Sequence, residues 1–445
     1  MRRLVLYGFG LLLMIGLPNR SFGAGGILVD TEVTGQPVSF QKGTVTFNPE
    51  TTSGSPSEGR LGRLSNDEAI KLVLELFSDW QNVSIEGIQT VSLSVTQEAG
   101  LGNIDSSNVN SHFTYCPPDA ACTGEAAPFV VGSARSEQSP ILFDADGSIT
   151  DLIQGEGASN DILGFAGPRV VLRTDGVLHI MESQAVLNGR FVDCPEGATA
   201  KDPCRSPEVS LESFKGAIFH ELGHFLGLDH VQINFASAMK TLSGDTSELD
   251  AIPTMLPLFI NGKAQLSPHK DDIVSLSMLY PAPEFEDSFC TIEGKVFESD
   301  GTTELQGVNI IARNTEAPLT DSVSFVSGAF YTGDFANCTA AKGTYLLKGI
   351  VPGKGYFLEI ERIHPTFIGG SSIEPCDPPL SGFEEASISG VFSCSSGGQT
   401  IKVGSVATTD IVTTKVVTKG TGEMVDDGGG GCSLIPLIRS QPLTP

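Results

Sequence analysis

Apolar residues recur at helical spacing in "LSNDEAIKLVLELFSDWQNV", where Ile70, Val73, Leu74, Phe77 and Trp80 share one face. That spacing predicts an amphipathic helix packed on a sheet, with Trp80 in the core. Ser65 and Glu68 open it as a capping box. Apolar and polar residues alternate instead in "GTVTFNPE" (43–50), which reads as a strand, and "IQTVSLSVTQ" (88–97) reads as another. A second helix is expected from near Ser210, with Glu212 in its first turn, to about Gly227. A third opens in "LSPHKDDIVSLSMLY". There Ser267 reads as N-cap, Pro268 as the first helical residue, and Asp271 and Asp272 fall in the opening turns. Strands followed by helices predict one α+β unit, residues 24–280.

The texture then changes. Residues 281–289, beginning "PAPEFED", read as a linker. Short apolar runs broken by Gly, Asp and Pro follow, as in "TIEGKVFESDG" and "GTYLLKGIVPGKGYFLEIE", and no helix pattern interrupts them. Residues 290–419 are therefore expected to form an all-β sandwich. Residues 420–445, "GTGEMVDDGGGGCSLIPLIRSQPLTP" from Gly420, read as a Gly-rich flexible tail.

At the other end, Arg2 and Arg3 precede the apolar run "LVLYGFGLLLMIGL", and "SFG" offers small residues for cleavage. This is the pattern of an export signal over residues 1–23. A membrane anchor is the competing reading, but the run is short for a bilayer, and no later segment approaches that length. A net charge of −26 disfavours nucleic acid and anionic membrane as partners. Export makes the nine Cys a disulfide inventory. Cys116 with Cys122 and Cys194 with Cys204 are local pairs. Cys290, Cys338, Cys376 and Cys394 allow three pairings, and Cys432 is left over in the tail.

Three of only seven His lie within "GAIFHELGHFLGLDH". On a helix His220 and His224 project from one face, one turn apart, and can reach a single Zn²⁺. Glu221 stands beside the first ligand, where a carboxylate can face a metal-associated water. Gly227 ends the helix cheaply, and the returning chain brings His230 in as a third ligand. Three protein ligands leave one position open, which marks a catalytic rather than a structural zinc.

"HELGHFLGLDH" resembles the metzincin metallopeptidases, and its surroundings resemble the matrixin branch. The resemblance covers roughly residues 38–280, strongest at this motif and the closing helix. It implies a twisted mixed sheet with three main helices and a Met-containing turn beneath the metal. Met255 in "IPTMLPLF", followed by Pro257, is the candidate; Met239 in "ASAMKTL" is the alternative. Val231 departs from the Ser that matrixins usually carry after the third His. His112 and His179 stand alone and read as non-ligands. "YCPPDAAC" superficially resembles a propeptide cysteine switch but follows the first helix, so a local disulfide is the better reading. "IEGKVFESDGTTELQGVNIIARN" and "GTYLLKGIVPGKGYFLEIE" resemble the carboxypeptidase regulatory-like, transthyretin-like sandwich, which implies no chemistry. "DDGGGGCSLIP" resembles the stretch before bacterial surface-sorting segments, although no apolar span and basic cluster follow it.

The expectation is thus a secreted zinc endopeptidase acting on protein or peptide substrates, with His220, His224 and His230 on the metal and Glu221 as general base. Hydrolysis of a non-protein amide is a rival within enzymes. A non-catalytic extracellular binding or adhesion protein with a structural zinc is the rival outside them. Asp144 and Asp146 in "LFDADGSITD" suit either a Ca²⁺ loop or an ordinary acidic turn, and the spacing excludes an EF-hand.

Overall fold

The computed structural model describes residues 25–28, 30, 37–55, 57–113, 130–131, 138–194, 208–328, 343–364, 382–403, 406–407, 432–433 and 435–436. The expected export signal, Cys116, Cys122, Cys204, Cys338 and Cys376 lie outside them. The chain is mixed α/β, with several sheets, few helices and a β-rich second half. Among the described residues no helix is long and apolar enough to cross a membrane.

The first half builds one large sheet from β1 (Ser39–Phe40), β2 (Thr44–Pro49), β5 (Ser94–Gln97), β6 (Val130–Val131), β7 (Pro140–Asp144), β8 (Gly164–Thr174) and β9 (Val177–Asn188). A small hairpin of β3 (Ser84–Ile85) and β4 (Ile88–Gln89) stands apart from it. The order is β8-β9-β7-β2-β5. The contacts of β9 with β7, of β7 with β2 and of β2 with β5 are parallel, and β8 lies antiparallel on β9. Asp175 and Gly176, both at positive φ (55° and 83°), make the tight turn between β8 and β9. Asp-Gly is the pair that such a turn demands.

Around the sheet lie α1 (Asn66–Gln81), α2 (Ser148–Gln154), α3 (Leu211–Phe225), α4 (Phe235–Leu242), the short β10 (Leu258–Phe259) and α5 (Lys270–Leu279). The capping box of Ser65 and Glu68 forms as its sequence implies. The apolar face of α1 packs through Phe77 on Phe47 and Phe225, at ring separations of 5.3 and 5.6 Å. Trp80 is fully buried, stacks on Phe219 at 4.4 Å and donates Nε1–H to the Phe219 carbonyl. A large ring thus joins the helix predicted first to the helix that carries the histidines.

Two local expectations need correction. Residues 88–97 are not one strand, because β4 turns back onto β3 and only β5 joins the sheet. The third helix is capped by His269, not Ser267. The His269 ring accepts from Asp271 N while the Asp272 carboxylate holds His269 N.

The interval read as a linker is also structured. It contains α6 (Pro283–Ser288), and Phe285 and Phe289 are buried. Beyond it stand β11 (Cys290–Phe297), β12 (Asn309–Asn314), β13 (Ser322–Val326), β14 (Thr344–Ile350), β15 (Tyr356–Glu361), β16 (Ala386–Phe392), β17 (Thr400–Lys402) and β18 (Val406–Ala407). They make two four-stranded sheets, β14-β11-β17 with β18 on β11, and β13-β12-β15-β16. Ile292, Val296, Tyr345 and Leu347 from the first share a core with Ile310, Ala312, Val323, Phe325 and Leu358 from the second. Of the pairings open to the distal cysteines, the structure joins Cys290 to Cys394.

That core does not stop at the second half. Ile85, Ala238, Ile252, Leu256, Leu258 and Val274 of the first half belong to it. Polar contacts reinforce the junction. Asp271 accepts from Ser324 N and Oγ, Lys270 pairs with Asp321, and Arg313 donates to Asn234 Oδ1 at 2.7 Å.

The tail was read as flexible, yet part of it is paired. β19 (Cys432–Ser433) runs antiparallel to β8, with Cys432 opposite Ala166 and Ser433 opposite Phe165. β20 (Ile435–Pro436) runs parallel to β10, with Ile435 opposite Leu258 and Pro436 opposite Phe259.

Candidate metal centre

Helix α3 starts at Ser210, whose Oγ accepts from Ser213 N at 3.1 Å. It packs so closely on the loop before α5 that a Cβ on Gly216 would stand 1.9 Å from the Gly262 carbonyl oxygen. Only glycine permits that approach. The helix ends where Gly227 takes φ 93° and its N–H bonds the His224 carbonyl. The chain then doubles back to His230. An antiparallel bridge between Gly26 and Leu228 holds the return, with Ile27 N on Gly227 O and Asp229 N on Gly25 O.

The three predicted imidazoles meet at one point. His224 Nε2 lies 3.0 Å from His220 Nε2 and 3.1 Å from His230 Nε2, and all three residues are buried. Their outer nitrogens explain how they are aimed. His220 Nδ1 faces the Thr254 carbonyl at 2.7 Å, and His224 Nδ1 faces the Leu228 carbonyl at 2.8 Å. A carbonyl only accepts, so each Nδ1 carries the proton and each Nε2 of a neutral ring presents a bare lone pair. Burial keeps the rings neutral: His224 is pushed down to about 4, and His220 and His230 well below the usual imidazole range. The lone pairs of His220 and His224 face each other at 3.0 Å with no donor between them, and repel. A cation at their focus converts that repulsion into coordination. Ligands on a tetrahedral zinc stand about 3.3 Å apart, close to the separations here. This buried group could hold a metal ion.

Glu221, next to His220 in the chain, is also buried. The first residue of β8 presses on it, since a Cβ on Gly164 would lie 3.0 Å from Glu221 Cγ. Met255 is also buried, and its Sδ would stand 2.5 Å from a Cβ on Gly223, directly under the helix between the two ligands. Met239, the alternative, is on α4 and 43% exposed. The Met255 turn is anchored from two sides: its carbonyl accepts from Val231 N, and Asp272 accepts from Thr254 N and Met255 N at 2.8 and 3.1 Å. Asp272 thereby holds the residue whose carbonyl orients His220.

Sequence reasoning did not find Thr254, Leu228 or Asp272. The first two act through backbone carbonyls, which leave no mark in residue type. Asp272 had one, a carboxylate two residues past the helix start, but it reads equally as a first-turn charge.

Other candidates resolve differently. Asp144 accepts from Ile149 N, Thr150 N and Thr150 Oγ1, and Asp146 accepts from Ser148 N, so both carboxylates secure the start of α2. His112 and His179 take no part in the three-histidine group. Asp193, Cys194 and Glu208 also cluster, but Cys194 is disulfide-bonded and offers no thiolate.

No family model matches the chain, and no curated protein matches it. Among solved structures, phospholipase PlaB from Legionella pneumophila in complex with thio-NAD is similar at 10% identity and TM-score 0.16. The similarity covers 39% of this chain and 42% of that one, so less than half of that structure is spanned. Overlap at that level carries no argument about this site.

Proposed function

We propose that the chain is a zinc-dependent endopeptidase of metzincin type, exported through its N-terminal signal and acting on protein or peptide substrates. The observation that carries this reading is the convergence of three imidazole Nε2 atoms at 3.0 and 3.1 Å, with the buried Glu221 next to His220 in the chain. His220, His224 and His230 would hold the ion. A bound zinc supplies Lewis acidity, polarising a carbonyl and acidifying water. Thr254 and Leu228 fix the ring orientations through their carbonyls. Glu221 takes a proton from the attacking water and returns it to the leaving amine. The buried surroundings exclude competing solvent and strengthen each of these interactions.

The mature chain and its Glu221→Ala variant are to be compared on a mixed peptide library read by mass spectrometry, each with and without a chelator. Cleavages present in the parent chain and lost in both the variant and the chelated sample are expected, with activity down roughly 10³-fold or more. Cleavage that survives Glu221→Ala would sink the assignment of the base. No cleavage from protein carrying stoichiometric zinc would favour a binding role instead.

A further inference from the structure

Two of the three imidazoles are aimed by a carbonyl, and the third is not. His220 and His224 each turn Nδ1–H to a main-chain oxygen, whereas His230 Nδ1 is buried without a hydrogen-bond partner among the described residues. No hydrogen bond turns the His230 ring, so its direction follows from the main chain that carries it. Upstream, the first half holds that chain: Leu228 bridges Gly26, and Asp229 N bonds the Gly25 carbonyl. Downstream, Val231 N bonds the Met255 carbonyl, and the second half then joins in.

Its grip is made of specific bonds. Gln232 donates to the Arg362 carbonyl at 2.9 Å and accepts from His364 N at 2.6 Å. The Phe235 and His364 rings lie 4.5 Å apart. Asn234, at φ 60°, accepts from Arg313 and donates to the Leu319 carbonyl, as well as to that of Ala251 in the first half. The Leu319 carbonyl also faces His269 Nε2 at 2.7 Å. His269 caps α5, whose Asp272 anchors the Met255 turn. One carbonyl of the second half thus ties the loop beyond His230 to the helix that supports His220. We propose that the second half is a working part of the metal centre, positioning His230 through Gln232 and Asn234.

A ligand without an outer hydrogen bond depends on such anchorage more than its neighbours do, because partners beyond the ligands normally fix each ring. The second half then contributes no ligand, yet it sets the aim of one. Gln232, Asn234 and Arg313 act here as positioning residues, through the main chain of the loop. The consequence for metal rests on the zinc reading; the consequence for the ring does not.

The test compares four full-length chains: the parent, Gln232→Ala, Asn234→Gly and Ile292→Val. Gln232→Ala deletes both of its bonds to the second half. Asn234→Gly keeps the left-handed backbone at no steric cost while deleting the side-chain link. Ile292→Val trims the shared core and leaves both links in place. Metal-free chains are first treated with diethylpyrocarbonate, and labelling at each histidine is read from fragment ions by mass spectrometry. His230 is expected to label roughly tenfold faster in the two loop variants and at the parental rate in Ile292→Val. By chelator competition the loop variants should hold zinc roughly 10- to 100-fold more weakly. The visible bands of bound Co²⁺ should also weaken in them, as a tetrahedral set loses a nitrogen. Parental labelling of His230 in both loop variants overturns the proposal, and so does equal acceleration in Ile292→Val. Parental zinc affinity and Co²⁺ bands in the loop variants of a metal-binding chain overturn it too. Faster labelling of His230 in loop variants of a chain that takes up neither metal upholds the positioning and overturns the metal reading instead.

Discussion

His220, His224 and His230 fold as neutral rings, as does His269, held down to about 4 by burial. A histidine whose folded pKa is depressed binds fewer protons folded than unfolded. It therefore adds stability as pH rises toward about 6.5 and nothing further above that. Buried carboxyls act in the opposite direction. Burial raises Glu50 to about 8, Asp271 to about 7 and Asp272 to about 6, so the folded state holds protons that the unfolded chain has released. Their contribution falls as pH rises from the ordinary carboxylate range through those values. Above about pH 6.5 the histidine gain is complete and the losses at Glu50 and Asp271 continue. The Tm of metal-free protein should therefore decline between about pH 6.5 and 8. Glu50→Gln should show a lower Tm but a shallower decline, because its amide cannot titrate and must face the N–H groups of Ile104 and Phe143. A Tm that climbs across this interval would contradict the assignment. At this scale the sequence was informative where side chains recur at fixed spacing, as in the three histidines that meet. It was silent where backbone atoms do the work.

Between residues and the whole lies the junction of α5 with the Met255 turn. One carboxylate, Asp272, accepts from three backbone N–H groups, those of Thr254, Met255 and His269. Asp272→Asn would turn one acceptor into a donor facing an N–H. An unsatisfied buried group of this kind costs about 1–3 kcal/mol, and more where charge was involved. Because Thr254 orients His220, the variant should also bind zinc roughly 10- to 100-fold more weakly by chelator competition. Unchanged zinc affinity would show that the turn does not position the ligand. Helices were legible here because α1 and α3 carry periodic faces with Ser caps. The cap of α5 was misplaced because His269 takes that role through its ring, a use that residue preferences do not favour. In the interval 88–97 the alternation slips where Gln89 and Thr90 are both polar, and β4 ends there, at Gln89.

Across the whole molecule, the boundary near residue 280 marks a change of architecture without marking a gap in the core. Val274 and Leu258 pack with Phe289, Ile292 and Phe325. Arg313 of the sandwich bonds Asn234, four residues beyond His230, and Asn234 in its left-handed conformation donates to the Ala251 and Leu319 carbonyls. The two halves should consequently unfold together, giving one calorimetric transition with matching van't Hoff and calorimetric enthalpies. Arg313→Ala leaves Asn234 Oδ1 and Glu359 without a buried partner and should cost about 3–5 kcal/mol. Two separate transitions, with only the later one sensitive to Arg313, would refute the shared core. Sequence texture located the β-rich second half, but contacts between halves use the same apolar and polar residues as contacts within them. No pattern along the chain could announce the junction.

Time enters through the clamp on the loop after His230. Gln232 donates to the Arg362 carbonyl and accepts from His364 N, 132 residues further along the chain. For a chain that folds as it is synthesised at about 5–20 residues per second, that separation of 132 residues is a wait of roughly 7 to 26 s. Helix α3 can form with His220 and His224 long before then. The loop after His230 receives its last restraints only after most of the second half exists, so the newborn chain carries all three histidines well before it carries a finished centre.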